Sequence, residues 1–446
     1  MTFNAWREVF LEDVAAELTV GFVGSMASEY VDSGIPFLRS KNVEPYIVKW
    51  DDMRFIGREF HERLKKSALA PGDVVIVRTG KPGAAALIPK SLPEANCSDV
   101  VIVRPGSQLD ARFLVYYLNS TAVQHVNAHL VGAVQQHFNV GSARKLRMRL
   151  PPLDEQKAIA HILGTLDDKI ELNQQMNQTL EAIAHALFKS WFIDFDPVRA
   201  KLDGQQPAGM DAETAALFPA EFEDSAIGKI PKGWKVKTLG DFIDIKHGYA
   251  FKGEFFRDQP PGDILLTPGN FTIGGGFKGD KFKYYVGEIP EEFVLTQGDL
   301  LVTMTDLSKL GDTLGYPAIV PTEGESRYLH NQRLGKVLIK SENAIDKLHL
   351  YYLLRTNEYR HEILAGATGT TVKHTSPSRI QSFKFLAPFP ELSLKFGAVV
   401  SSLFEKKSLN DDENQFLTLT RDTLLPKLLS GEIRVQDAEK VVEVMA

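Results

Sequence analysis

The longest regular pattern of apolar and polar positions runs from Asp154 to Trp191. This stretch contains no proline and one glycine, Gly164, whereas Pro151 and Pro152 precede it and Pro197 follows it. Its seam alternates steps of four and three through Ile159, Leu163, Leu166, Ile170, Asn173, Asn177, Leu180, Ala184, Leu187 and Trp191. A heptad pattern over more than four heptads is typical of a coiled-coil helix. The pattern predicts one helix over 153–191, about 58 Å long at about 1.5 Å per residue.

The same seam returns 237 positions later, so a second long helix is predicted. Its positions are Phe396, Val400, Leu403, Lys407, Asn410, Asn414, Leu417, Arg421, Leu424 and Leu428. Each seam carries its asparagine pair at its midpoint, so antiparallel helices would bring asparagine to asparagine and fix both register and orientation. We predict the antiparallel arrangement, which places a globule at each end. The alternatives are a parallel pair with both globules at one end, or asparagines that merely face solvent.

Outside these helices the pattern changes to short β-branched runs bounded by turn residues, as in VVIVRTG, DVVIVRP, DLLVTMT and KVLIK. Such runs predict buried strands. One helical stretch, ARFLVYYLNSTAVQHV, lies between them. The combination predicts an irregular α/β globule.

The globule occurs twice. PGDVVIV at 71–77 matches QGDLLVT at 297–303, Tyr116-Tyr117 matches Tyr351-Tyr352, and Trp6 matches Trp234. A repeat of about 230 residues is too long for a solenoid unit, so it indicates a duplicated module. The predicted class is α+β, with two similar α/β domains separated by two long antiparallel helices in a pseudo-twofold repeat. The predicted boundaries are 1–150 for the first domain, 151–197 for the central helix, 198–232 for a partly ordered linker, 233–390 for the second domain, and 391–446 for the distal helix and tail.

The composition is typical of a soluble protein with a hydrophobic core, since 43% of the 446 residues are hydrophobic and 24% are charged. Cys97 is the one cysteine, which excludes an intrachain disulfide and a thiolate zinc cluster and favours the cytoplasm. No apolar run is long enough for a membrane helix, and the first residues do not form a signal peptide, so no membrane partner is expected. The net charge of −6 divides into +3, −5, −2, +1 and −3 over the five predicted segments. The acidic surplus therefore lies outside the two domains.

Motifs for catalysis are missing from the sequence. Gly80-Lys81 is followed by Pro82, which removes an amide that a phosphate-binding loop needs. No GxGxxG opens a helix, because Gly274-Gly275-Gly276 lies in a turn-like loop, and GxSxG does not occur. The adenine-methylating Asn/Asp-Pro-Pro-aromatic tetrapeptide is also missing. His125 and His129 lie four apart on a predicted helix, but without a third ligand they fit a solvated helix face better than a metal site. We expect no catalytic residue and no metal in this chain.

Residues suited to nucleic acid occur on matched loops of the two copies. Arginine recognises guanine edges, asparagine and glutamine recognise adenine, and lysine and threonine bind phosphates. The candidates in the first copy are Arg39, Ser40, Lys41, Asn42, Arg78, Thr79, Lys81, Gln135, Gln136 and His137. The candidates in the second copy are Thr267, Asn270, Thr305, Thr370, Lys373 and His374. Any one of them taken singly could be a solvated loop residue, but different polar sets on matched loops suit recognition of two different short sequences.

These features together resemble a type I restriction-modification specificity subunit. The resemblance is carried by LPPLDEQKAIAHILGTLDDKIELNQQMNQTLEAIAHALFKSWFIDFDP at 150–197, by RDTLLPKLLSGEIRV at 421–435, and by the GDVVIVRTG and GDLLVTMT strands. It covers essentially the whole chain. One departure is Thr370 in GATGTTVKH, where a glutamine often follows the GA pair in the family.

The resemblance implies two target-recognition domains that bind double-stranded DNA, one half-site each, with the helices setting the spacer. It implies no cofactor in this chain. S-adenosylmethionine would belong to two partner methyltransferase subunits, and ATP and Mg²⁺ to two restriction subunits in a system that has them. Two other interpretations stay open: an autonomous DNA methyltransferase or nuclease, and a coiled-coil adaptor without DNA recognition.

Overall fold

The computed structural model describes residues 6–128, 138–279, 281–321 and 327–443, which divide into two compact units. Unit 1 comprises residues 1–172 and 413–446, and unit 2 comprises residues 173–412. Each unit therefore contains one α/β domain together with half of each long helix.

The first domain contains thirteen strands and five short helices within its described residues. The strands are β1 (Arg7–Phe10), β2 (Ala15–Val20), β3 (Tyr30–Val31), β4 (Ile35–Leu38), β5 (Val43–Glu44), β6 (Ile47–Val48), β7 (Arg54–Ile56), β8 (Ala68–Leu69), β9 (Val74–Val77), β10 (Ala85–Leu87), β11 (Ala95–Cys97), β12 (Val100–Pro105) and β13 (Arg147–Leu150). The helices are α1 (Leu11–Val14), α2 (Arg58–Arg63), α3 (Ala111–Asn119), α4 (Val123–Ala128) and α5 (Val140–Arg144).

The remaining elements belong to unit 2, to the two long helices and to the C-terminal helix. The strands are β14 (Phe222–Ser225), β15 (Gly228–Pro231), β16 (Lys235–Thr238), β17 (Ile243–His247), β18 (Phe256–Arg257), β19 (Asp263–Leu266), β20 (Lys283–Tyr285), β21 (Val294–Leu295), β22 (Leu300–Thr303), β23 (Thr305–Asp306), β24 (Pro317–Ile319), β25 (Tyr328–His330), β26 (Leu334–Ile339), β27 (Lys373–His374) and β28 (Lys384–Ala387). The helices are α6 (Leu153–Phe192), α7 (Asp196–Leu202), α8 (Ala212–Ala216), α9 (Lys347–Leu353), α10 (Asn357–Ala365), α11 (Pro377–Gln381), α12 (Pro390–Ser430) and α13 (Val435–Glu443).

The two domains share one sheet topology, which confirms the predicted repeat. A four-stranded sheet has the order β10-β9-β12-β2 in the first domain and β24-β22-β26-β17 in the second. A five-stranded sheet has the order β3-β7-β4-β11-β8 in the first and β18-β20-β19-β25-β21 in the second. Even the parallel pairs correspond, because β4 runs parallel to β11 and β19 runs parallel to β25.

The apolar runs are strands because both of their faces are buried. In β9, Val74 and Ile76 pack into one hydrophobic cluster and Val75 and Val77 into another. Alternate residues of a strand point to opposite faces, so a strand between two cores must be apolar at every position. Strand β22 repeats this arrangement between the two cores of the second domain.

The two long helices agree with the prediction from the heptad pattern, which placed the first of them over 153–191. Pro390 occupies the first position of α12, where a missing amide costs nothing, and Gly431 follows its last residue with a φ of 76°. Within unit 2, Asn177 contacts Asn410 and Glu181 contacts Lys407, so residue numbers rise in α6 as they fall in α12.

Unit 1 has the same order, since Asp167 pairs with Arg421 and Lys169 pairs with Glu413. In each unit the two helix halves therefore pack antiparallel.

Two expectations about local structure differ from what is observed. The stretch ARFLVYYLNSTAVQHV is not one helix, because α3 ends at Asn119 and α4 begins at Val123. The segment 198–232 is more ordered than expected: it contains most of α7, helix α8 and the β14–β15 hairpin. Val198 and Phe218 from this segment are buried in the unit 2 core, so it packs as part of that core.

Candidate nucleic-acid interface

Two candidate loops of the first domain converge on one carboxylate, that of Asp99. Ser40 Oγ donates to the Asp99 carbonyl at 2.8 Å and to Oδ2 at 3.1 Å, and the Thr79 hydroxyl donates to the same carboxylate. Arg78 Nη1 lies 3.7 Å from Asp99 Oδ1. The polar cluster of Ser40, Arg78, Thr79 and Asp99 thus joins the loop after β4 to the loop after β9.

The other basic candidates of this domain also face carboxylates. Arg39 and Lys41 both contact Asp52, and the hydrogen bond from Lys41 lowers the pKa of that carboxyl. Lys81 Nζ lies 3.4 Å from Glu44 Oε1. The Lys41 and Lys81 side chains are 53% and 69% exposed, whereas that of Arg39 is 19% exposed. Exposed ion pairs contribute little to stability, so the two lysines are held only weakly by their carboxylates.

Asn42 and Asn270 were predicted to contact bases, and the structure gives them a different role. Asn42 is fully buried: its Oδ1 accepts from the Arg39 amide at 3.1 Å and its Nδ2 donates to the Asp51 carbonyl at 3.0 Å. Asn270 is 1% exposed and closes the matched turn with the same pair of contacts. With donors and acceptors satisfied inside the domain, both asparagines fix the loop backbone and cannot reach base edges in this conformation.

Two threonine candidates of the second domain are also engaged internally. Thr267 donates through its amide and its hydroxyl to Asn270 Oδ1, at 2.9 and 3.1 Å. Thr305 is 7% exposed, and its Oγ1 lies 3.1 Å from His374 Nδ1. Both threonines therefore stabilise the loops through hydrogen bonds within the domain.

The second-domain candidates that are open to solvent lie on or near β27. Thr370 and His374 are exposed, and Lys373 is half-buried. Strand β27 pairs with β23, so Lys373 lies opposite Asp306. This pairing brings the loop after β22 and the loop before α11 together, as the two loops of the first domain are brought together at Asp99.

Other predictions fall partly or wholly outside what the structure describes. Gln135, Gln136, His137 and His129 lie outside the described residues. His125 Nε2 lies 3.1 Å from the Ser142 carbonyl. Within the described ranges, no three His, Cys, Asp or Glu side chains are grouped so as to hold a metal ion. Cys97, the single cysteine, is buried.

The predicted register residues lie on the helices as follows. Asn410 Nδ2 donates to Asn177 Oδ1 at 2.8 Å, and both residues are buried. Asn173 is also buried, and Asn414 is half-buried. A charged network continues the seam in unit 2, where Glu181 accepts from Arg355 and pairs with Lys407. Burial alone would raise the pKa of Glu181, but the two cations outweigh it and lower that pKa.

The sequence search missed two acidic residues that organise the first-domain surface, Asp99 and Asp52, which hold its candidate cations. In the second domain, Asp306 holds the long loop. A search for DNA contacts selects cations and amides, so carboxylates escape it. Asp99 has a φ of 57°, which is uncommon for a residue other than glycine and would have marked it had the backbone been known.

The family follows from comparison with known proteins. The family model described as the type I restriction modification DNA specificity domain matches residues 4–182 and 231–419. These two matched segments cover most of the chain, and the chain therefore belongs to this family. Its members are specificity subunits, the non-catalytic parts of restriction-modification complexes.

Individual relatives agree with this assignment. The chain is 31% identical over 344 residues to the type I restriction enzyme HindI specificity subunit of Haemophilus influenzae, covering 66% of this chain and 70% of the relative. It is 23% identical to the MjaIX specificity subunit of Methanocaldococcus jannaschii, covering 97% and 94%. The crystal structure of an S subunit from M. genitalium shares the fold, with a TM-score of 0.55 at 15% identity over 96% of this chain and 97% of that one. Among the described residues, no helix combines the length and the apolar character needed to cross a membrane.

Proposed function

We propose that this chain selects the DNA target of a type I restriction-modification complex. Each α/β domain would recognise one half of a bipartite sequence, and α6 and α12 together would set the number of base pairs between the halves. The chain would dock two DNA-methyltransferase subunits, which bind S-adenosylmethionine. ATP and Mg²⁺ would belong to two restriction subunits in a system that has them.

One observation carries this proposal: a single sheet topology presents two different sets of side chains on matched loops. The loop after β9 carries Arg78 and Lys81, whereas the loop after β22 carries Leu307 and Leu310. Duplicated scaffolds with identical loops would suit a symmetric target, and loops that differ suit two unlike half-sites. A coiled-coil adaptor would need neither domain.

The charges of the described residues support a role for the partner subunits in DNA binding. The candidate cations of the first domain, Arg39, Lys41, Arg78 and Lys81, each lie beside a carboxylate of Asp52, Asp99 or Glu44. Affinity for DNA depends strongly on the number of phosphates that a protein neutralises. We therefore expect weak DNA binding by the chain alone and tight, specific binding once methyltransferase subunits enclose the duplex.

The test is to co-express the chain with the methyltransferase subunit of its own system in a host that lacks adenine methylation, and to sequence the modified bases. We expect methylated adenines in one bipartite motif with a fixed gap. The control omits the methyltransferase, and the purified chain should then neither methylate DNA nor bind S-adenosylmethionine. A continuous motif would contradict the two-domain assignment, and methylation by the chain alone would overturn the proposal.

A further inference from the structure

The loop after β22 is longer than its counterpart in the first domain. Strands β9 and β10 are joined by residues 78–84, whereas the matched strands β22 and β24 are joined by residues 304–316. The additional residues bring two leucines to the surface. Leu307 is 63% exposed and Leu310 is 79% exposed, which is far beyond what a core leucine shows.

This loop is held by hydrogen bonds from within. The Asp306 carboxylate accepts from the Ser308 amide at 2.6 Å and from the Thr313 hydroxyl at 2.7 Å. Ser308 Oγ accepts from the Asp312 amide at 2.7 Å. These bonds outweigh burial and lower the pKa of Asp306, which therefore stays ionised as an acceptor.

A second clamp comes from α10. The Arg360 guanidinium donates to the carbonyls of Gly311 and Leu314 and lies 4.5 Å above the Tyr316 ring. Gly311 has a φ of 68°, a conformation that other residues adopt at a cost. A loop fixed from both sides cannot fold its leucines back into the core, so their exposure is built into the domain.

Two lysines lie at this loop, which also contains Asp306 and Asp312. Lys309 lies between them in sequence and is exposed, and the stem of Lys373 passes beside Gly311. Within the described part of the chain, neither lysine forms an ion pair, in contrast to the paired cations of the first domain. Unpaired lysines beside an apolar tip suit DNA, where phosphates flank the groove and the thymine methyl is the apolar feature of a base edge.

We propose that Leu307 and Leu310 contact the 5-methyl group of thymine in the half-site that the second domain recognises. This inference rests on the proposed function. The first domain presents Arg78 and Lys81 at the matched position, so its half-site should lack this dependence on a methyl group. The loop after β22 thus predicts one chemical difference between the two half-sites, which is the dependence on a thymine methyl group.

The experiment replaces thymine by deoxyuridine, which removes the methyl group and keeps the base pair. Once the methylated motif is known, each thymine of the second half-site is replaced in turn, and binding by the complex with methyltransferase subunits is measured. At one or two positions we expect the affinity to fall about fourfold, which is the effect of losing the burial of one methyl group. Replacements in the first half-site should have no effect.

Variants of the chain assign the effect to the loop. The Leu307→Ala/Leu310→Ala double variant should bind thymine and deoxyuridine targets equally. Leu338→Ala, at a leucine exposed on β26 of the same domain, is the matched control and should keep the difference.

Three outcomes overturn the inference: equal affinity of the wild-type complex for thymine and deoxyuridine, a difference that persists in the double variant, or weaker assembly of the double variant with methyltransferase subunits when DNA is omitted. The last outcome would make the loop a protein contact. A sample with no methylated motif at all would instead contradict the proposed function, so the two failures are distinguishable.

Discussion

Asn410 and Asn177 form a side-chain hydrogen bond of 2.8 Å between the two long helices of unit 2. Asn177 Nδ2 also donates to Asp411 Oδ1 at 2.7 Å. A buried asparagine in a coiled-coil seam lowers stability but disfavours other registers, because a shift separates its polar atoms from the partner that satisfies them. In unit 2 the helix register is therefore tied to one specific pair.

The asparagine pair predicts a double-mutant cycle with strong coupling. Asn410→Leu alone leaves Asn177 Oδ1 without its donor and should lower the free energy of unfolding by about 1–3 kcal/mol. Adding Asn177→Leu should restore part of that loss, since both polar groups are then gone. Denaturant titration measures each variant, and Leu409→Ala, at an exposed position of α12, should change little. Additive effects would show that the two side chains do not interact.

Helix length predicts the gap between half-sites. Four residues add about 6 Å to a helix, and each base pair occupies about 3.4 Å. Matched four-residue insertions in α6 and α12 should therefore widen the gap by one or two base pairs and leave both half-sites unchanged. Sequencing of methylated bases gives the answer, and an unchanged gap would refute the role of the helices as a spacer. An insertion in one helix alone should break the seam and abolish methylation.

The first-domain arginines should affect one half-site only. Arg39→Ala and Arg78→Ala should each reduce recognition of the half-site bound by the first domain, by about tenfold or more if a bidentate base contact is lost. Arg63→Ala, on α2 of the same domain, is the control for removal of an exposed cation. Methylation at targets altered in one half-site separates the effects. Equal loss at both half-sites would indicate damaged folding or a phosphate contact.

Asp99 should act through the residues it positions. Asp99→Asn retains an acceptor for Ser40 and Thr79 and tolerates the positive φ, but it loses the ion pair with Arg78. Asp99→Ala loses all three side-chain contacts and keeps only the bond from Ser40 Oγ to the backbone carbonyl. First-half-site discrimination should therefore fall in the order wild type, Asn, Ala, with the second half-site unaffected. A purely structural role would instead lower the thermal midpoint without changing which bases are preferred.

Buried histidines predict an acid-sensitive second unit. Burial lowers the pKa of His349 to about 3 and that of His330 to about 4, from the usual 6.5. The unfolded chain binds protons below pH 6.5 while the folded chain does not, so stability is full above that pH and falls toward pH 4. Each histidine contributes up to about 1.4 kcal/mol per pH unit in this range.

Measurement of the free energy of unfolding between pH 7 and pH 4 tests whether stability falls as the pH is lowered. His349→Leu should reduce the slope of stability against pH by up to one proton, while His330 keeps its own contribution. His247→Leu, at an exposed position of β17, is the control for replacing a histidine by leucine. An acid limb that keeps its full slope in His349→Leu would contradict the assignment.

Most of the backbone framework could be predicted from local patterns. The four-three spacing from Ile159 to Trp191 predicted α6 to within a residue at its C-terminal end, and the apolar run Val74–Val77 predicted a strand. Both patterns act through near neighbours in the chain, so no tertiary information was needed. The break between α3 and α4 at residues 120–122 was not predicted, because the sequence Ser120-Thr121-Ala122 contains no residue that excludes a helix.

The candidate interface was predictable only in part. Loop position identified Arg39 and Arg78 as polar residues at strand ends, but the same rule selected Asn42, whose burial depends on a turn that the sequence does not reveal. Asp99 was missed because its importance lies in the side chains that reach it from distant segments.

The sequence alone determined that this protein has two copies of one domain, two long helices with matched asparagines, and no recognisable catalytic motif. These properties are encoded in residue spacing, which can be recognised without knowledge of the fold. The tertiary structure decided which polar side chains form hydrogen bonds inside the domain and which face outward. Hydrogen bonds between residues 20 and 69 positions apart form only when the sheets bring their loops together. The exposure of Leu307 and Leu310 was settled in the same way, by Asp306 and Arg360.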